Sequence, residues 1–386
     1  MAASGTASGI APAHCYNPGT RPKPHLSETM PPADRNLTVA VVGATGVVGR
    51  TMIQILSERH FPVGELRLLA SGRSAGKTVS ADGRTLMVDE ATPAAFEGVD
   101  IALFSAGTDV SRELAPEAAA RGATVIDNSN AWRMDPKVPL IVSQVNPGDG
   151  EWHEGIIANP NCSTMQLVPV LMALRDTVGI ERVVVDTYQS VSGTGAEALA
   201  ELESQILAHV TGEAKVASVY PHPIAFNAIP EIDVFLENGY TREEWKVVTE
   251  SRKILHLPEL RLSCTAVRVP VFVSHSEAVH VETSRAISPA EARRAFAAVP
   301  GVVVIDDPAN HGYPIASQAA GTDEVYVGRV RTDPSVERGI AFWVVSDNLR
   351  KGAATNAVEI AELLLAHDWV KARSRRTVPG GAGAAT

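Results

Sequence analysis

The sequence predicts an α/β domain with a doubly wound parallel sheet, followed by an α+β domain with a mixed, mostly antiparallel sheet. Strands and helices alternate over roughly residues 36–158, which is typical of a doubly wound fold. Strand-like segments then cluster over residues 159–347, where few helices separate them. A glycine-rich turn directly after the first strand places a ligand site in the first domain.

The first domain begins with an apolar segment, Leu37–Val42, interrupted only by Thr38, which predicts a strand buried on both faces. Apolar residues at helical spacing predict a helix over Val48–Glu58. The remaining predicted elements are strands at Glu65–Ala70, Val99–Phe104 and Thr124–Asp127, and an alanine-rich helix at Ser111–Arg121.

The second domain begins with a helix and ends before a C-terminal helix. Its predicted helices are Cys162–Arg175 and Ala196–Val210, and its predicted strands are Arg182–Val191, Leu262–Val273, Ala278–Thr283, Val325–Arg331 and Ile340–Val345. The last helix, within residues 348–368, carries one apolar face over Lys351–His367 and is expected to pack back on the first domain.

Both ends of the chain have the composition of disordered segments. Residues 1–35 are rich in Ala, Gly, Pro and Ser without apolar periodicity, and residues 372–386 end in a Gly/Ala-rich tail. Met30 lies just before the first predicted strand, so it is a candidate native start, with the upstream residues a dispensable extension.

Composition excludes several classes of protein. Apolar residues make up 45% of the chain, enough for a full core, and the net charge of −10 argues against nucleic acid or an anionic membrane as a partner. No segment approaches the ~18 apolar residues of a membrane helix, and no signal peptide is recognisable. Three scattered cysteines are too few for a disulfide framework or a zinc site. We expect a soluble, cytoplasmic protein without a metal.

The turn after the first strand, Gly43-Ala44-Thr45-Gly46-Val47-Val48-Gly49, indicates a Rossmann-type dinucleotide site. Its glycines permit tight bending and close approach to a pyrophosphate, and the following helix offers free N–H groups. The alternative is a glycine-rich turn without a ligand, since the spacing is not the usual G-x-G-x-x-G. The candidate contacts are Gly43, Thr45, Gly46, Val47, Val48 and Gly49.

The end of the second predicted strand favours NADP over NAD. An NAD site places a carboxylate there to bind the ribose 2′-hydroxyl, but this chain continues Ser71-Gly72-Arg73-Ser74. Arg73 and Ser74 suit a 2′-phosphate instead. The alternative is that this segment is only a polar surface loop.

Cys162 is a candidate nucleophile. It lies between two residues that commonly cap helices, Asn161 and Ser163, so it should occupy the first turn of the helix that follows. Free N–H groups and the helix dipole there are expected to lower the pKa of the thiol. The alternative is a buried structural cysteine, which is the interpretation we prefer for Cys264.

Several motifs, in order from about residue 37 to 368, together resemble the aspartate-β-semialdehyde dehydrogenase family. Besides the glycine turn, they are Arg73-Ser74-Ala75-Gly76, Asn159-Pro160-Asn161-Cys162-Ser163-Thr164, Tyr188-Gln189-Ser190-Val191-Ser192-Gly193, Arg268-Val269-Pro270-Val271 and Ser346-Asp347-Asn348-Leu349-Arg350-Lys351-Gly352-Ala353-Ala354. The resemblance implies an NADP-binding Rossmann domain and an α+β catalytic and dimerisation domain.

The resemblance also implies the reaction: NADPH-dependent reductive dephosphorylation of L-4-aspartyl phosphate to L-aspartate 4-semialdehyde, and the reverse with phosphate, through a cysteine thioester. A homodimer would perform it, on the way to lysine, threonine, methionine and, in bacteria, diaminopimelate. The implied residues are Cys162 as nucleophile, His275 as acid/base, Gln189 orienting the thiol or acyl group, Arg268 and Glu243 on the substrate carboxylate and ammonium, Arg133 and Lys246 on phosphate, and Ser192, Gly193 and Asn348 near the nicotinamide.

Each implied role has a structural alternative. His275 suits a strand core, Glu243 and Lys246 are spaced as a surface ion pair on a helix, Arg133 suits a loop, and Gln189 suits a strand. One rival function is an N-acetyl-γ-glutamyl-phosphate reductase, whose acylated substrate would not need Glu243. The other is a non-catalytic homologue acting as a binding module, which would be expected to lose Cys162 or His275.

Overall fold

The computed structural model describes residues 36–81 and 83–370, and these residues build two sheets. The predictions about residues 1–35, Met30 and residues 372–386 lie outside the described residues. In the part of the chain that is described, no helix has the length and hydropathy needed to cross a membrane.

The first sheet has seven strands and is parallel except for one hairpin. Its elements, with the intervening helices, are β1 (Leu37–Val42), α1 (Val47–Glu58), β2 (Val63–Ala70), β3 (Thr78–Ala81), β4 (Arg84–Glu90), β5 (Ile101–Phe104), α2 (Thr108–Ala120), β6 (Thr124–Asp127) and β7 (Ile156–Ala158). The strand order is β3-β4-β2-β1-β5-β6-β7, and only β3 and β4 pair antiparallel. This order is that of a Rossmann-like domain.

The second sheet has six strands and is mixed. Its elements are α3 (Cys162–Val178), β8 (Ile180–Gln189), α4 (Ala196–Thr211), α5 (Arg242–Ile254), β9 (Arg261–Arg268), β10 (His275–Thr283), α6 (Pro289–Ala297), β11 (Val302–Val304), α7 (Ala316–Ala319), β12 (Val325–Asp333), β13 (Gly339–Ser346) and α8 (Asn356–Ala366). The order is β11-β12-β13-β10-β8-β9, in which the two end pairs are parallel and the three central pairs antiparallel. The predicted fold class is confirmed.

Some element boundaries differ from the prediction. The strand expected over Leu262–Val273 ends at Arg268, because Pro270 has no N–H for the ladder and the chain turns there towards β10. β10 consequently begins earlier than expected, at His275, after Ser274 adopts a positive φ of 79°. The helix predicted within Lys351–His367 is a π-helical turn, Arg350–Thr355, followed by α8.

The segment that follows β13 completes the core of the first domain. Residues of the π-turn and α8 pack in one cluster with β1 and α1; they are Ala354, Ala357, Val358, Ile360, Ala361, Leu364 and Leu365. An ion pair between Arg59 and Glu362, at 2.6 Å, ties α8 to the end of α1. The segment that follows the second sheet in sequence therefore belongs to the first domain in space.

Candidate active site

Three strand ends and one helix start meet at one edge of the second sheet. β8 and β9 run parallel and end at paired residues, Gln189 and Arg268. β10 runs the opposite way, so its first residue, His275, lies at the same edge. The ladder thus gathers three of the predicted side chains, which are far apart in sequence.

Cys162 is the first residue of α3, and the residue before it caps that helix. The Asn161 side chain accepts hydrogen bonds from the backbone N–H groups of Ser163 at 2.9 Å and Thr164 at 3.3 Å. The π-turn lies against the thiol, since a Cβ added at Gly352 would lie 3.0 Å from Cβ of Cys162. The nucleophile candidate therefore stands on a fixed backbone turn between the two domains.

The expectation that the helix N-terminus lowers the pKa of Cys162 is wrong. Burial, followed by the carboxylate of Glu243, raises the pKa of this thiol to about 12. The cationic groups of Arg268, Arg133 and Lys246 act in the opposite direction without balancing these two effects. In the protein without substrate the thiol is therefore protonated at neutral pH.

His275 is a buried, neutral hydrogen-bond donor. Its Nδ1 accepts the backbone N–H of Ser190 at 3.1 Å, and because a backbone N–H only donates, the ring proton must lie on Nε2. Burial, followed by the charge of Arg268, lowers the pKa of His275 to about 3. Nε2 has no hydrogen-bond partner among the described residues, so this N–H is available to a bound molecule.

Gln189 connects the sheet to the start of α3. Its Nε2 donates to Oγ of Ser163 at 2.9 Å and to Oε1 of Glu243 at 3.2 Å. The amide of Asn161 donates to the same carboxylate oxygen at 2.8 Å. Gln189 and Glu243 are therefore part of the hydrogen-bond network that surrounds the first turn of α3.

Glu243 and Lys246 form a pair on α5, which begins with a capping box between Thr241 and Glu244. Nζ of Lys246 lies 3.1 Å from Glu243 and 3.0 Å from Asp233. Burial opposes ionisation of Glu243, but Lys246 and the Asn161 amide outweigh it and lower its pKa to about 2. The site therefore holds a charged carboxylate that is almost fully buried.

Arg268 is held from two sides at the end of β9. Its Nη1 donates to the backbone carbonyl of Ser190 at 2.7 Å, and its guanidinium lies 5.9 Å from the centre of the Tyr220 ring. Its Nε is buried and has no hydrogen-bond partner within residues 36–81 and 83–370. The positive charge of Arg268 and the negative charge of Glu243 both act on the Cys162 thiol.

Arg133 follows the end of β6 and reaches the same cleft. Its Nη1 lies 3.0 Å from Glu250, and its Nη2 donates to the carbonyl of Asn128 at 2.9 Å. Both bonds fix the plane of the guanidinium. Its charge is close enough to Cys162 to act on the pKa of the thiol.

The three residues expected near the nicotinamide lie beside His275. Asn348 donates to Oγ of Ser192 at 3.0 Å and accepts the backbone N–H of Ser274 at 2.9 Å. A methyl group added at Gly193 would lie 3.2 Å from Nε2 of His275, so only glycine leaves this nitrogen accessible. The turn that carries Ser192 and Gly193 therefore lies directly against the histidine.

The glycine turn after β1 fits a dinucleotide phosphate. Gly43 has a positive φ of 86°, which glycine adopts without strain, and a side chain at Gly49 would collide with the carbonyl oxygen of Gly43. α1 begins at Val47, and no side chain caps its free N–H groups. Such uncapped N–H groups at a helix start are what an anionic pyrophosphate requires.

The loop after β2 contains one feature that the sequence analysis missed. Arg73 and Ser74 lie on this loop, as predicted, but the end of the neighbouring strand β4 brings Glu90 opposite Ala70. A Cβ added at Gly72 would lie 2.8 Å from the Glu90 carboxylate. Only the register of β2 with β4, which no local pattern predicts, reveals this carboxylate.

Glu277 is another residue that the sequence analysis missed. It lies two residues after His275 on the same face of β10 and is fully buried. Neither of its carboxylate oxygens has a hydrogen-bond partner in the described part of the chain. Burial raises its pKa to about 8, although the nearby amide of Gln166 opposes this rise. The alternation of β10 predicts an inward side chain at this position but not its ionisation state.

A metal centre is not among the features of this cleft. Across residues 36–81 and 83–370, no three His, Cys, Asp or Glu side chains are grouped so that they could hold a metal ion. The carboxylates of the cleft are instead paired with cations: Glu243 with Lys246, and Glu250 with Arg133.

Comparison with known proteins identifies both halves of the chain. Residues 38–152 match the family model described as "semialdehyde dehydrogenase, NAD binding domain", and residues 171–351 match "semialdehyde dehydrogenase, dimerisation domain". Aspartate-semialdehyde dehydrogenase of Aquifex aeolicus is 55% identical over 331 residues, which cover 85% of this chain and 97% of that protein. The Bacillus subtilis enzyme is 50% identical over 338 residues, covering 86% and 98%.

Solved structures agree with this assignment. The crystal structure of aspartate semialdehyde dehydrogenase II from Vibrio cholerae, complexed with ASA, superposes with a TM-score of 0.84 at 46% identity, covering 86% of this chain and 99% of that one. Sequence, domain composition and three-dimensional structure all lead to the same conclusion. The chain belongs to the aspartate-semialdehyde dehydrogenase family.

Proposed function

We propose that the chain reduces L-4-aspartyl phosphate to L-aspartate 4-semialdehyde with NADPH, and catalyses the reverse reaction with phosphate, through a thioester on Cys162. The observation that carries this proposal is the arrangement around the first turn of α3. A thiol, a neutral imidazole N–H, a buried cation and a buried anion all lie at one edge of the second sheet. An acyl phosphate that bears an α-amino acid group needs each of these.

In the acylation step, the sulfur of Cys162 forms a bond to the acyl carbon, and the bond from that carbon to the phosphate oxygen breaks. Phosphate leaves with the electron pair of the broken bond. Nε2 of His275 already carries a proton, so we assign the thiol proton to a basic oxygen of the departing phosphate. This assignment is consistent with the raised pKa of the thiol in the protein without substrate.

His275 is proposed to act at the oxygen of the acyl group. Its Nε2–H donates a hydrogen bond to that oxygen as negative charge develops on it when hydride adds to the thioester carbon. When the carbonyl forms again, the bond from carbon to sulfur breaks and the sulfur of Cys162 leaves with its electron pair. The resemblance implies that His275 is an acid/base. In this proposal its neutral ring, with the proton on Nε2, acts by donating a hydrogen bond. NADPH, when bound, supplies the hydride.

Arg268 and Glu243 are proposed to bind the two charged ends of the amino acid. The guanidinium of Arg268 suits a carboxylate geometrically, and Glu243 is ionised and suits an ammonium group. Arg133 and Lys246 are proposed to hold the phosphate. Lys246 contacts two carboxylates, so the phosphate would have to compete with Asp233 for its ammonium group.

NADP is proposed to bind along the glycine turn Gly43–Gly49, with Arg73 and Ser74 on the 2′-phosphate and Asn348 near the nicotinamide. The uncapped N–H groups of α1 support the phosphate contacts. A homodimer formed through the second domain is supported by the family description and by Tyr188, which is 38% exposed on the outer face of the sheet. Because an acyl phosphate hydrolyses in water, we propose that the enzyme works where that substrate is made, in the cytoplasm.

The test is NADPH formation from L-aspartate 4-semialdehyde, with and without phosphate, by the wild type, Cys162→Ala and Cys264→Ala. Turnover that requires phosphate, disappears in Cys162→Ala and persists in Cys264→Ala supports the proposal. Cys264 is the matched control because it is the second free thiol of the described residues and is buried on β9, whereas Cys162 is partly exposed. Equal activity in all three proteins, or no activity in the wild type with either cofactor, would contradict it.

A further inference from the structure

α5 presents four charged side chains at helical spacing along one side. Glu243 and Lys246, in its first two turns, belong to the proposed substrate and phosphate sites. Glu250 and Lys253 continue the same side at positions seven and ten residues after Glu243. No role has yet been assigned to this second pair. Glu250 contacts Arg133 and the residue before Cys162, and Lys253 contacts the loop that carries Arg133.

Glu250 uses each carboxylate oxygen on a different part of the site. Oε1 pairs with Nη1 of Arg133 at 3.0 Å, and Oε2 accepts the backbone N–H of Asn161 at 2.7 Å. The side chain of Glu250 is only 1% exposed, so neither bond competes with bulk water. One buried carboxylate therefore contacts both the proposed phosphate arginine and the residue immediately before the nucleophile.

Lys253 fixes the loop from which Arg133 projects. Its Nζ donates to the backbone carbonyls of Arg133, Asp135 and Val138, each at 2.8 Å. An ammonium group has three donors, so all of them are used on this loop. The backbone of Arg133 is thus held by Lys253, and its side chain by Glu250.

We infer that Glu250 is a positioning residue that orients Arg133 towards the phosphate and fixes the backbone before Cys162, with Lys253 supporting the same loop. This inference rests on the proposed function, because it takes Arg133 as a phosphate ligand. An arginine without these contacts would sample several rotamers, and ordering it would then reduce the affinity for phosphate. Glu250 itself touches neither substrate nor cofactor in this arrangement.

Glu250→Gln separates the two contacts. The amide oxygen keeps the hydrogen bond from Asn161, which is fixed at the start of α3, and the amide NH2 then faces the guanidinium of Arg133. The substitution therefore releases Arg133 while the first turn of α3 is retained. We expect the KM for phosphate to rise about 10-fold or more, while the KM for the semialdehyde changes less than about 2-fold.

Two further variants make the test specific. Lys253→Met removes the hydrogen bonds to the backbone carbonyls of the Arg133 loop and leaves Glu250 in place. It should also raise the KM for phosphate without raising the KM for the semialdehyde. Combining Glu250→Gln with Arg133→Gln should add nothing to the effect of Arg133→Gln alone, because Glu250 acts through that arginine. Glu244→Gln is the matched control, since Glu244 is buried on the same helix but accepts the backbone N–H groups of Thr241 and Ala266.

Phosphate binding is measured independently of turnover, as the rise in Tm on adding inorganic phosphate. If Glu250→Gln and Lys253→Met lose this rise in Tm and Glu244→Gln keeps it, the inference is supported. This result does not depend on turnover: a wild type that fails to turn over the semialdehyde would refute only the proposed function. Equal increases in both KM values, additive effects with Arg133→Gln, or an unchanged response of Tm to phosphate would overturn the inference. If Glu250→Gln does not fold, Lys253→Met decides the question.

Discussion

The backbone N–H of Ser190 donates to Nδ1 of His275 at 3.1 Å, and this bond determines which ring nitrogen carries the proton. A protonated imidazolium would place a second N–H against the first, so the bond opposes protonation, as burial does. His275 therefore presents a neutral Nε2–H donor at the working pH of a biosynthetic enzyme. One backbone N–H, directly after the end of β8, has thus fixed the tautomer of a catalytic candidate at the start of β10.

The first prediction concerns stability in acid. The pKa of His275 falls from 6.5 to about 3 on folding, so between these values the unfolded chain binds a proton that the folded chain does not. Stability should therefore fall as pH drops from 6.5 towards 3. His275→Asn removes this effect, and its Tm should decline less between pH 7 and pH 5 than that of the wild type. An equal decline of Tm in His275→Asn and in the wild type would contradict this prediction.

Glu277 should destabilise the protein increasingly as the pH rises from 4.5 to about 8. Its pKa rises from 4.5 to about 8 on folding, so above pH 4.5 the unfolded chain releases a proton that the folded chain retains until about pH 8. Stability is lost over this window at no more than about 1.4 kcal/mol per pH unit. The Tm of Glu277→Gln minus that of the wild type should grow from pH 5 to pH 8. A difference that does not vary with pH would refute the assignment.

Charge changes around Cys162 should have opposite effects on its reactivity. Glu243 raises the pKa of the thiol and Lys246 lowers it. Glu243→Gln should therefore speed alkylation of Cys162 by iodoacetamide at pH 8, and Lys246→Met should slow it. Glu243→Gln should also raise the KM for the semialdehyde, because the substrate ammonium loses its partner. Rates that change in the same direction in both variants would argue against electrostatic control of the thiol.

Gly193→Ala should impair catalysis with little effect on folding. The added methyl group would lie 3.1 Å from Nη1 of Arg268 and 3.2 Å from Nε2 of His275, which forces both groups to shift. A misplacement of about 1 Å can cost on the order of 10²-fold in kcat/KM, so shifts of a few tenths of an ångström should cost less, about 3- to 10-fold. Gly107→Ala is the control, since no atom lies within 4 Å of a Cβ added there. Kinetics of both variants and their Tm values test the prediction.

The loop after β2 should determine the choice of cofactor. Arg73→Ala should lower kcat/KM with NADP by about 10-fold or more and leave the value with NAD nearly unchanged, because only NADP has a 2′-phosphate. Glu90→Gln should act in the opposite direction and favour NADP, since it removes a negative charge beside the same loop. Equal loss with both cofactors in Arg73→Ala would assign that arginine a structural role.

The bounds of two strands buried on both faces could be predicted accurately from the sequence, whereas β5 begins at Ile101 and not at Val99. Leu37–Val42 and Thr124–Asp127 occur in the structure as predicted, because parallel strands in a sheet covered on both sides are short apolar segments bounded by polar residues. The prediction failed over Leu262–Val273, where the alternation continues beyond Pro270 although the ladder ends at Arg268. The alternation of apolar side chains continues past the point where the chain changes direction. Only the backbone hydrogen bonds of the ladder show where the strand ends.

The candidate site shows a similar division. The position of Cys162 at a helix start follows from its neighbours Asn161 and Ser163, but its pKa depends on burial and on Glu243, which the fold brings from a different helix. Glu250 was not predicted, because a glutamate within a charged helix usually faces solvent. Its two bonds exist only once α5 packs beside α3.

The packing of α8 against β1 and α1 has a consequence for biosynthesis of the chain. As the ribosome extends the polypeptide, the first hundred or so residues of the nucleotide-binding domain emerge long before the segment that closes its core. That nascent domain must leave apolar surface on β1 and α1 exposed until α8 has been synthesised. Early release of the chain would therefore damage not only its last helix but also the domain that was synthesised first.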